Sequence, residues 1–252
     1  MQPVPQNFSA TAVHNLMLRK NGVPLLESCA FMSIAVNLQK IVATLPPGVR
    51  LVAVSKNHPV EDILIAYNAG QRLFGENKAQ ELSAKYGLLP ADIEWHFIGH
   101  LQTNKVKYIA PFVSVIHSID SLKLLLAINK EAAKNNRVID GLLQFHIAGE
   151  ETKFGMNLDE AIGLLGSEEI TACQNVRLTG VMGMATFTDD RVQVSAEFQQ
   201  LKTIFDHLKN QYFPNDSGFC EISMGMSDDY ILAIEQGSTL VRVGSSIFGE
   251  RN

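Results

Sequence analysis

Helical and strand-like patterns alternate eight times along this chain, and this alternation limits the possible folds more than any other feature. From about residue 28, each stretch with apolar residues at helical spacing precedes a short apolar run typical of a buried strand. The predicted strands are 51–56, 73–77, 94–99, 113–119, 141–147, 178–184, 219–224 and 239–243. Strict alternation predicts a single α/β domain, a (β/α)8 TIM barrel.

An open, doubly wound sheet is the alternative arrangement, but its glycine-rich fingerprint is missing. No proline-rich or Gly/Ser-rich linker divides the repeating region, so one domain is expected. Met32 opens the first convincing helical pattern, whereas the preceding stretch contains several prolines and no sustained periodicity. We therefore predict an N-terminal extension outside the core at 1–31 and the barrel at 32–252.

Composition excludes several classes of function. The formal net charge is −5 and no basic run is visible, which argues against a nucleic-acid partner. The first twenty residues lack an apolar secretory core, and no stretch has the length of a membrane span. Cys29, Cys173 and Cys220 are far apart and lack metal-ligand spacing, so we expect each to be a buried small apolar residue, with no metal site and a cytoplasmic location.

Lys56 ends the first predicted strand, and its position makes it a candidate for covalent chemistry. Val52, Val54 and Lys56 share one face of that strand by alternation. The active sites of such barrels lie at the C-terminal ends of the strands, so this lysine can point into the barrel mouth. A lysine forms Schiff bases with aldehydes. A solvated loop lysine is the plainer alternative.

A candidate phosphate site follows strands seven and eight, where barrels often bind phosphate. Ser227 follows the seventh strand, and Gly244 and Ser245 follow the eighth. Ser227 could instead be a plain helix N-cap. Asp228 and Asp229 would repel a phosphate, so both must point away from it. A lysine and a phosphate site together indicate a phosphorylated aldehyde, of which pyridoxal 5′-phosphate (PLP) is the obvious example.

Other polar residues are expected near the same strand ends. Arg242 lies on the same side of its strand as Gly244, and its guanidinium needs an acceptor, either a pyridine nitrogen or a buried carboxylate. Asn77 ends the second predicted strand, and His100 follows the third. His96, within the third strand, is expected to be a core histidine with its hydrogen bonds satisfied.

Five stretches of the chain carry a family resemblance. They are Ala53-Val-Ser-Lys56, Phe74-Gly-Glu-Asn77, Trp95-His-Phe-Ile-Gly-His-Leu-Gln-Thr-Asn-Lys105, Gly225-Met-Ser-Asp-Asp229 and Val241-Arg-Val-Gly-Ser-Ser-Ile-Phe-Gly249. Together they closely resemble the YggS/PROSC family of pyridoxal phosphate homeostasis proteins. The segment 145–155 departs from the family pattern, so the flank of the cofactor is expected to differ.

The resemblance implies a fold-type III PLP barrel, similar to the N-terminal domain of alanine racemase. It implies that PLP forms a Schiff base with Lys56. It implies phosphate contacts from Ser227, Gly244 and Ser245, a pyridine-nitrogen contact from Arg242, and positions near the cofactor for Asn77 and His100. The implied function is intracellular PLP homeostasis without catalytic turnover, with apo forms of PLP-dependent enzymes as candidate partners.

Two enzymatic alternatives remain open at this point. One is a PLP-dependent amino-acid racemase, and the other is a barrel enzyme that uses Lys56 on a phosphorylated substrate. Racemase-type relatives add a C-terminal β-domain that supplies a tyrosine acid/base through dimerisation. None of the five tyrosines in this sequence occupies an obvious second-base position. We therefore expect a non-catalytic, monomeric PLP-binding protein.

Overall fold

A closed barrel of eight parallel strands forms the centre of the computed structural model, which describes residues 25–149 and 154–249. The strands pair in chain order, and the eighth closes on the first. They are β1 Arg50–Val54, β2 Leu73–Glu76, β3 Glu94–Phe97, β4 Val115–Ile119, β5 Ile139–His146, β6 Val176–Met184, β7 Glu221–Ser223 and β8 Leu240–Val243. The predicted (β/α)8 barrel is therefore confirmed.

Helices occupy the connections between the strands. They are α1 Leu25–Thr44, α2 Val60–Asn68, α3 Ala79–Tyr86, α4 Val106–Ile109, α5 Leu122–Lys134, α6 Leu158–Leu165, α7 Glu168–Thr171, α8 Arg191–Tyr212, α9 Tyr230–Glu235 and α10 Ser245–Phe248. A 3-10 turn, Thr103–Lys105, precedes α4. Local capping explains several helix starts. Asn157 forms a reciprocal capping box with Glu160 at α6, and the Asp190 carboxylate accepts two backbone N–H groups at α8.

The start of α1 lies within the predicted extension. The helix begins at Leu25 rather than at Met32. Ile34, Leu38 and Ile41 bury one face of it in the core, as their helical spacing predicts. Residues 1–24 lie outside the described residues, so the domain boundary at 31/32 stays a prediction.

The core has two parts, one outside the strands and one inside the barrel. The larger part packs the outward faces of the strands against the helices and includes Trp95, Phe74 and Phe198. Inside the barrel, four apolar side chains form a small separate cluster: Val52, Leu142, Met182 and Leu240. The barrel is therefore filled in the usual way for this fold. Its interior also holds buried polar side chains, which lead towards the mouth.

Candidate functional site

A cavity of about 640 Å³ opens at the C-terminal ends of the strands. This is the end of the barrel where such folds place their sites, and the volume is within the usual range for small-molecule pockets. All seven residues that the sequence singles out line this one cavity: Lys56, Asn77, His100, Ser227, Arg242, Gly244 and Ser245. The structure thus brings them together, whereas their individual roles stay predictions.

Lys56 lies two residues beyond the end of β1 and is half-buried. The strand that precedes it is buried from Leu51 onward. The Ser55 N–H continues the pairing with β2 by donating to the Gly75 carbonyl at 3.0 Å. The lysine therefore leaves the barrel wall from a well-anchored position at the mouth.

Ser227 sits in a tight turn after β7 and connects that turn to β8. Gly225 has a φ of +93°, which favours glycine, and an added Cβ would meet the Ala233 Cβ at 2.6 Å. The Ser227 Oγ accepts the Gly244 N–H at 3.3 Å. The plain N-cap alternative is wrong, because α9 has Asp229 at its N-cap position and no side-chain cap bond.

The two aspartates after Ser227 differ in orientation. The Asp229 carboxylate accepts the Met226 N–H at 2.5 Å within its own turn, and burial raises the pKa of this carboxyl. Asp228 is exposed and lines the cavity. The expectation that both carboxylates point away from the phosphate site therefore stays a prediction for Asp228.

Gly244 lies where the end of β8 approaches the end of β1. A Cβ at this position would lie 3.1 Å from the Val54 carbonyl oxygen and 3.2 Å from the Val54 Cβ. These distances leave no easy room for a side chain. The backbone of Gly244 and Ser245 can therefore come close to an anion, beside the strand that carries Lys56.

Arg242 is buried at the floor of the cavity. Its guanidinium donates to the Ser223 Oγ at 2.5 Å and to the Gly183 carbonyl at 3.0 Å. Burial lowers the pKa of Arg242 to about 10, against a smaller opposing effect from Asp229. The guanidinium therefore remains a cation at neutral pH, held in place by a hydroxyl and a carbonyl.

A polar column continues from Arg242 down through the barrel. It consists of Arg242, Ser223, His117 and His96. The Ser223 Oγ lies 3.0 Å from His117 Nδ1, and His117 Nε2 lies 2.8 Å from His96 Nδ1. Desolvation lowers the pKa of His96 to about 3, and it lowers the pKa of His117 well below its ordinary value. Both rings are therefore neutral at physiological pH.

The direction of hydrogen bonding in this column is fixed at its Arg242 end. Arg242 can only donate, so the Ser223 oxygen accepts from it. Ser223 keeps both a hydroxyl hydrogen and a second lone pair, so its bond with His117 Nδ1 is compatible with either tautomer of His117, and the bond between His117 Nε2 and His96 Nδ1 then runs in the matching direction. In both cases His96 Nε2 has no partner among the described residues. The expectation of a fully satisfied His96 is therefore only half met.

Sequence reasoning missed His117 and Ser223. Both are buried polar residues on short strands of the barrel. An inward-facing polar residue in a barrel strand is the signal that could have identified them.

Two amide side chains that line the cavity have unused acceptors. Asn77 Oδ1 and Gln144 Oε1 are buried and without a hydrogen-bond partner in the part of the chain that the structure describes. A Cβ at Gly99 would lie 2.4 Å from the Asn77 carbonyl, so close packing fixes the backbone of Asn77. Buried polar atoms without partners at a cavity wall indicate a site for a polar ligand.

His100 is exposed at the rim of the cavity. Its Nδ1 lies 3.4 Å from the Asp120 carboxylate, and its ring stacks on Phe154 with centroids 4.1 Å apart. Phe154 also lines the cavity. Within the segment 145–155, which departs from the family pattern, residues 150–153 lie outside the described residues.

The ranges 25–149 and 154–249 contain no group of three or more His, Cys, Asp or Glu side chains that could bind a metal ion. None of their helices combines the length and the hydrophobicity that a membrane span requires. Cys173 and Cys220 are free thiols; Cys173 is half-buried and Cys220 is exposed, so the expectation of buried cysteines is wrong for both.

The barrel and its lysine-bearing mouth define a class of protein, and comparison with known proteins identifies it. The family model for the N-terminal domain of alanine racemase matches residues 31–252. Two curated relatives named pyridoxal phosphate homeostasis protein come from Aquifex aeolicus and Schizosaccharomyces pombe. The first is 41% identical over 80% of this chain and 87% of its own length. The second is 40% identical over 81% of this chain and 85% of its own length.

The chain belongs to the family of pyridoxal phosphate homeostasis proteins, as its motifs predict. PipY of Synechococcus elongatus, solved without PLP, is 37% identical and superimposes with a TM-score of 0.80 over 86% of this chain and all of PipY. A second structure of PipY has PLP bound, with a TM-score of 0.77. Alanine racemase from Bartonella henselae is 15% identical with a TM-score of 0.67, over 88% of this chain and 63% of the racemase, and shows the shared fold alone.

Proposed function

We propose that this protein binds PLP at the mouth of its barrel and serves in the intracellular homeostasis of this cofactor. The observation that carries the proposal is the convergence of Lys56 with Ser227, Gly244 and Ser245 around one cavity. Relatives at about 40% identity are named for PLP homeostasis, and the structure of PipY with PLP bound supports the choice of ligand.

The residues around the cavity fit the chemical groups of PLP. Lys56 supplies an amine for the aldehyde, and Ser227 with the Gly244–Ser245 backbone supplies hydrogen-bond donors for the phosphate. Arg242 supplies a fixed cationic donor for the ring nitrogen. The unused amide oxygens of Asn77 and Gln144 can accept further hydrogen bonds. When bound, PLP supplies an electron-withdrawing ring and an aldehyde that amines attack.

We further propose that the protein has no substantial catalytic turnover. A guanidinium at the ring nitrogen keeps that nitrogen unprotonated, which weakens the ring as an electron sink. A racemase needs acid/base groups on both faces of the substrate. None of the five tyrosines, all of them in the described ranges, lines the cavity. Transfer of PLP to apo-enzymes, a cytoplasmic location and a monomeric state stay predictions within this proposal.

Reductive labelling tests the proposed ligand site. The purified protein is mixed with PLP, reduced with borohydride and digested, and the peptides are examined by mass spectrometry. We expect the pyridoxyl group on Lys56 and a long-wavelength absorbance band that Lys56→Ala abolishes. The matched control is Lys105→Ala, which changes a lysine of the same barrel end that does not line the cavity. A label found mainly on Lys105, or equal labelling of the Lys56→Ala protein, would contradict the proposal.

A further inference from the structure

We propose that Glu76, Lys85 and Glu81 form a positioning cluster that orients Lys56 by fixing both of its neighbours in the chain. The inference rests on the proposed function, because it assigns these residues a role in the attachment of PLP to Lys56. None of the three lines the cavity. They act on Lys56 through the backbone of the two residues beside it in the chain.

Lys85 is the centre of the cluster. It projects from α3 and is only 7% exposed. Its ammonium donates to the Ser55 carbonyl at 2.9 Å, to Glu76 Oε1 at 2.8 Å and to Glu81 Oε1 at 2.7 Å. An ammonium has three hydrogens, so these bonds use all of its donors. One of these three acceptors is the carbonyl of Ser55, the residue immediately before Lys56.

Ser55 is fixed by side chain and backbone alike. Its hydroxyl donates to Glu76 Oε1 at 2.6 Å, and the residue is completely buried. Its carbonyl accepts from Lys85 and also from the His58 N–H at 3.1 Å. The bond between Ser55 and His58 closes a four-residue turn. Lys56 is the second residue of that turn, so the turn sets the direction of its side chain.

Asn57 fixes the other side of the lysine. Its φ is 65°, in the left-handed region, which asparagine tolerates better than most residues. Its N–H donates to Glu81 Oε1 at 2.6 Å, the same oxygen that accepts from Lys85. Left-handed backbone at a non-glycine residue persists only where the surroundings hold it. Here the surroundings are the carboxylate of Glu81.

The composition of the cluster favours positioning over simple packing. A buried ammonium with two carboxylates contributes little net stability compared with apolar side chains of the same size. Glu76 Oε2 is buried without a partner among the described residues, and burial raises the pKa of the Glu76 carboxyl. Apolar residues could fill this space. They could not bond the Ser55 carbonyl and the Asn57 N–H.

The positioning of Lys56 affects the covalent attachment of PLP but not the binding of its phosphate and ring. During attachment, Lys56 Nζ forms a carbon–nitrogen double bond with the aldehyde carbon, and the aldehyde oxygen leaves as water. This step needs an accurately directed amine. Pyridoxine 5′-phosphate has the same ring and phosphate but no aldehyde, so its binding does not depend on the direction of Lys56.

The experiment compares the wild type with the Lys85→Met variant and uses PLP and pyridoxine 5′-phosphate as the two ligands. We expect the equilibrium for covalent attachment, followed by absorbance and by borohydride labelling, to fall by about tenfold or more. The affinity for pyridoxine 5′-phosphate should stay within about twofold, because the phosphate site is intact. The matched control is Lys202→Met, which removes a lysine from another i,i+4 ion pair, with Asp206 on α8. This control should match the wild type with both ligands.

A pair of substitutions at Glu81 decides the question if Lys85→Met does not fold. Glu81→Gln keeps an oxygen that can accept the Asn57 N–H, whereas Glu81→Leu removes it. We expect Glu81→Leu to impair covalent attachment and Glu81→Gln to restore most of it, with equal affinity for pyridoxine 5′-phosphate. Equal attachment in both variants and the wild type overturns the inference, as does a parallel loss of both ligands. A wild-type protein that fails to bind PLP overturns the proposed function itself.

Discussion

At the scale of single residues, Gly244 is where the requirements of the fold and of the proposed site coincide. Its missing side chain lets the end of β8 lie against the end of β1. The same gap leaves its backbone accessible beside Ser227. One atom added here affects the wall of the barrel and the proposed phosphate site together.

Gly244→Ala should therefore weaken ligand binding and destabilise the protein. The new Cβ would press on the Val54 carbonyl at 3.1 Å, and overpacking of this kind costs about 1–3 kcal/mol. We expect lower affinity for pyridoxine 5′-phosphate in titrations and a lower midpoint of thermal unfolding. The control is Gly163→Ala in α6, where a Cβ meets no atom within 4 Å and alanine is the better helix former. If Gly244→Ala behaved like this control, the close approach would have no energetic consequence.

Individual residues also show which parts of the site could be identified from the sequence alone. Lys56, Ser227 and Gly244 were identifiable because the barrel places every strand end at one mouth. His117 and Ser223 were missed because their pairing joins residues 106 positions apart, and nothing local reports it. Lys85 was also missed, since a lysine on a helix ordinarily faces solvent.

At the scale of secondary-structure elements, local chemistry decided how well each boundary could be predicted. The sequence predicts a helix at 158–165. The bounds of α6 agree with it, because Asn157 caps its start and Gly166 follows its end. β5 and β6 begin two residues earlier than predicted. The first two residues of these strands include Asp140 in β5 and Arg177 in β6, and these charged residues interrupt the apolar pattern. Arg177 and Asp140 pair across the two strands at 2.7 Å, which allows both charges to lie within the sheet.

The short helices were predicted least well, because four residues are too few to show a period. The sequence predicts a helix from about 102 to 109. The structure has a 3-10 turn there, followed by α4. α7 was not predicted. Both lie on the outer surface of the barrel, so neither difference alters the candidate site.

The polar column across β3, β4, β7 and β8 predicts a pH dependence of stability. Burial holds the pKa of His96 near 3, whereas an unfolded histidine has a pKa near 6.5. Between these values the unfolded chain binds more protons than the folded one, so stability falls as pH drops below about 6.5. The loss approaches about 1.4 kcal/mol per pH unit for each such histidine.

Denaturant unfolding between pH 7.5 and pH 5 measures this dependence. We expect the free energy of unfolding to decline over this window, and a His96→Leu variant to decline less steeply. Above pH 7 both histidines are neutral in either state, so the two proteins should have parallel, flat profiles there. Glu76 acts in the opposite direction, because its raised pKa favours the folded state in acid. Identical slopes for variant and wild type would show that His96 is protonated in the folded protein.

At the scale of the whole molecule, the cavity stands open above a single barrel. Three aromatic or apolar side chains near the rim, Phe154, Phe187 and Met226, line it together with the polar groups. Phe187 is 83% exposed. Among the described residues, this part of the rim is therefore open to solvent.

This architecture predicts very slow turnover of amino acids. The PLP-loaded protein is incubated with L-alanine, and the enantiomers are separated over time. We expect no D-alanine above the level produced by free PLP, because the cavity lacks a tyrosine on its second face. Turnover on the order of 10 per second, as in ordinary enzymes, would instead support the racemase alternative. The Lys56→Ala protein serves as the blank.

The pairing of β8 with β1 has a consequence for the lifetime of the protein. Residues 50–53 pair with residues 240–243, and this seam alone joins the two ends of the sheet into a ring. Lys56 stands on one side of the seam and Gly244 on the other. A molecule that is attached to Lys56 and bound at Gly244 bridges this seam. The barrel can then open at the seam only after that molecule has been released. By mass action, the fraction of chains that resist proteolysis then rises with the supply of the cofactor.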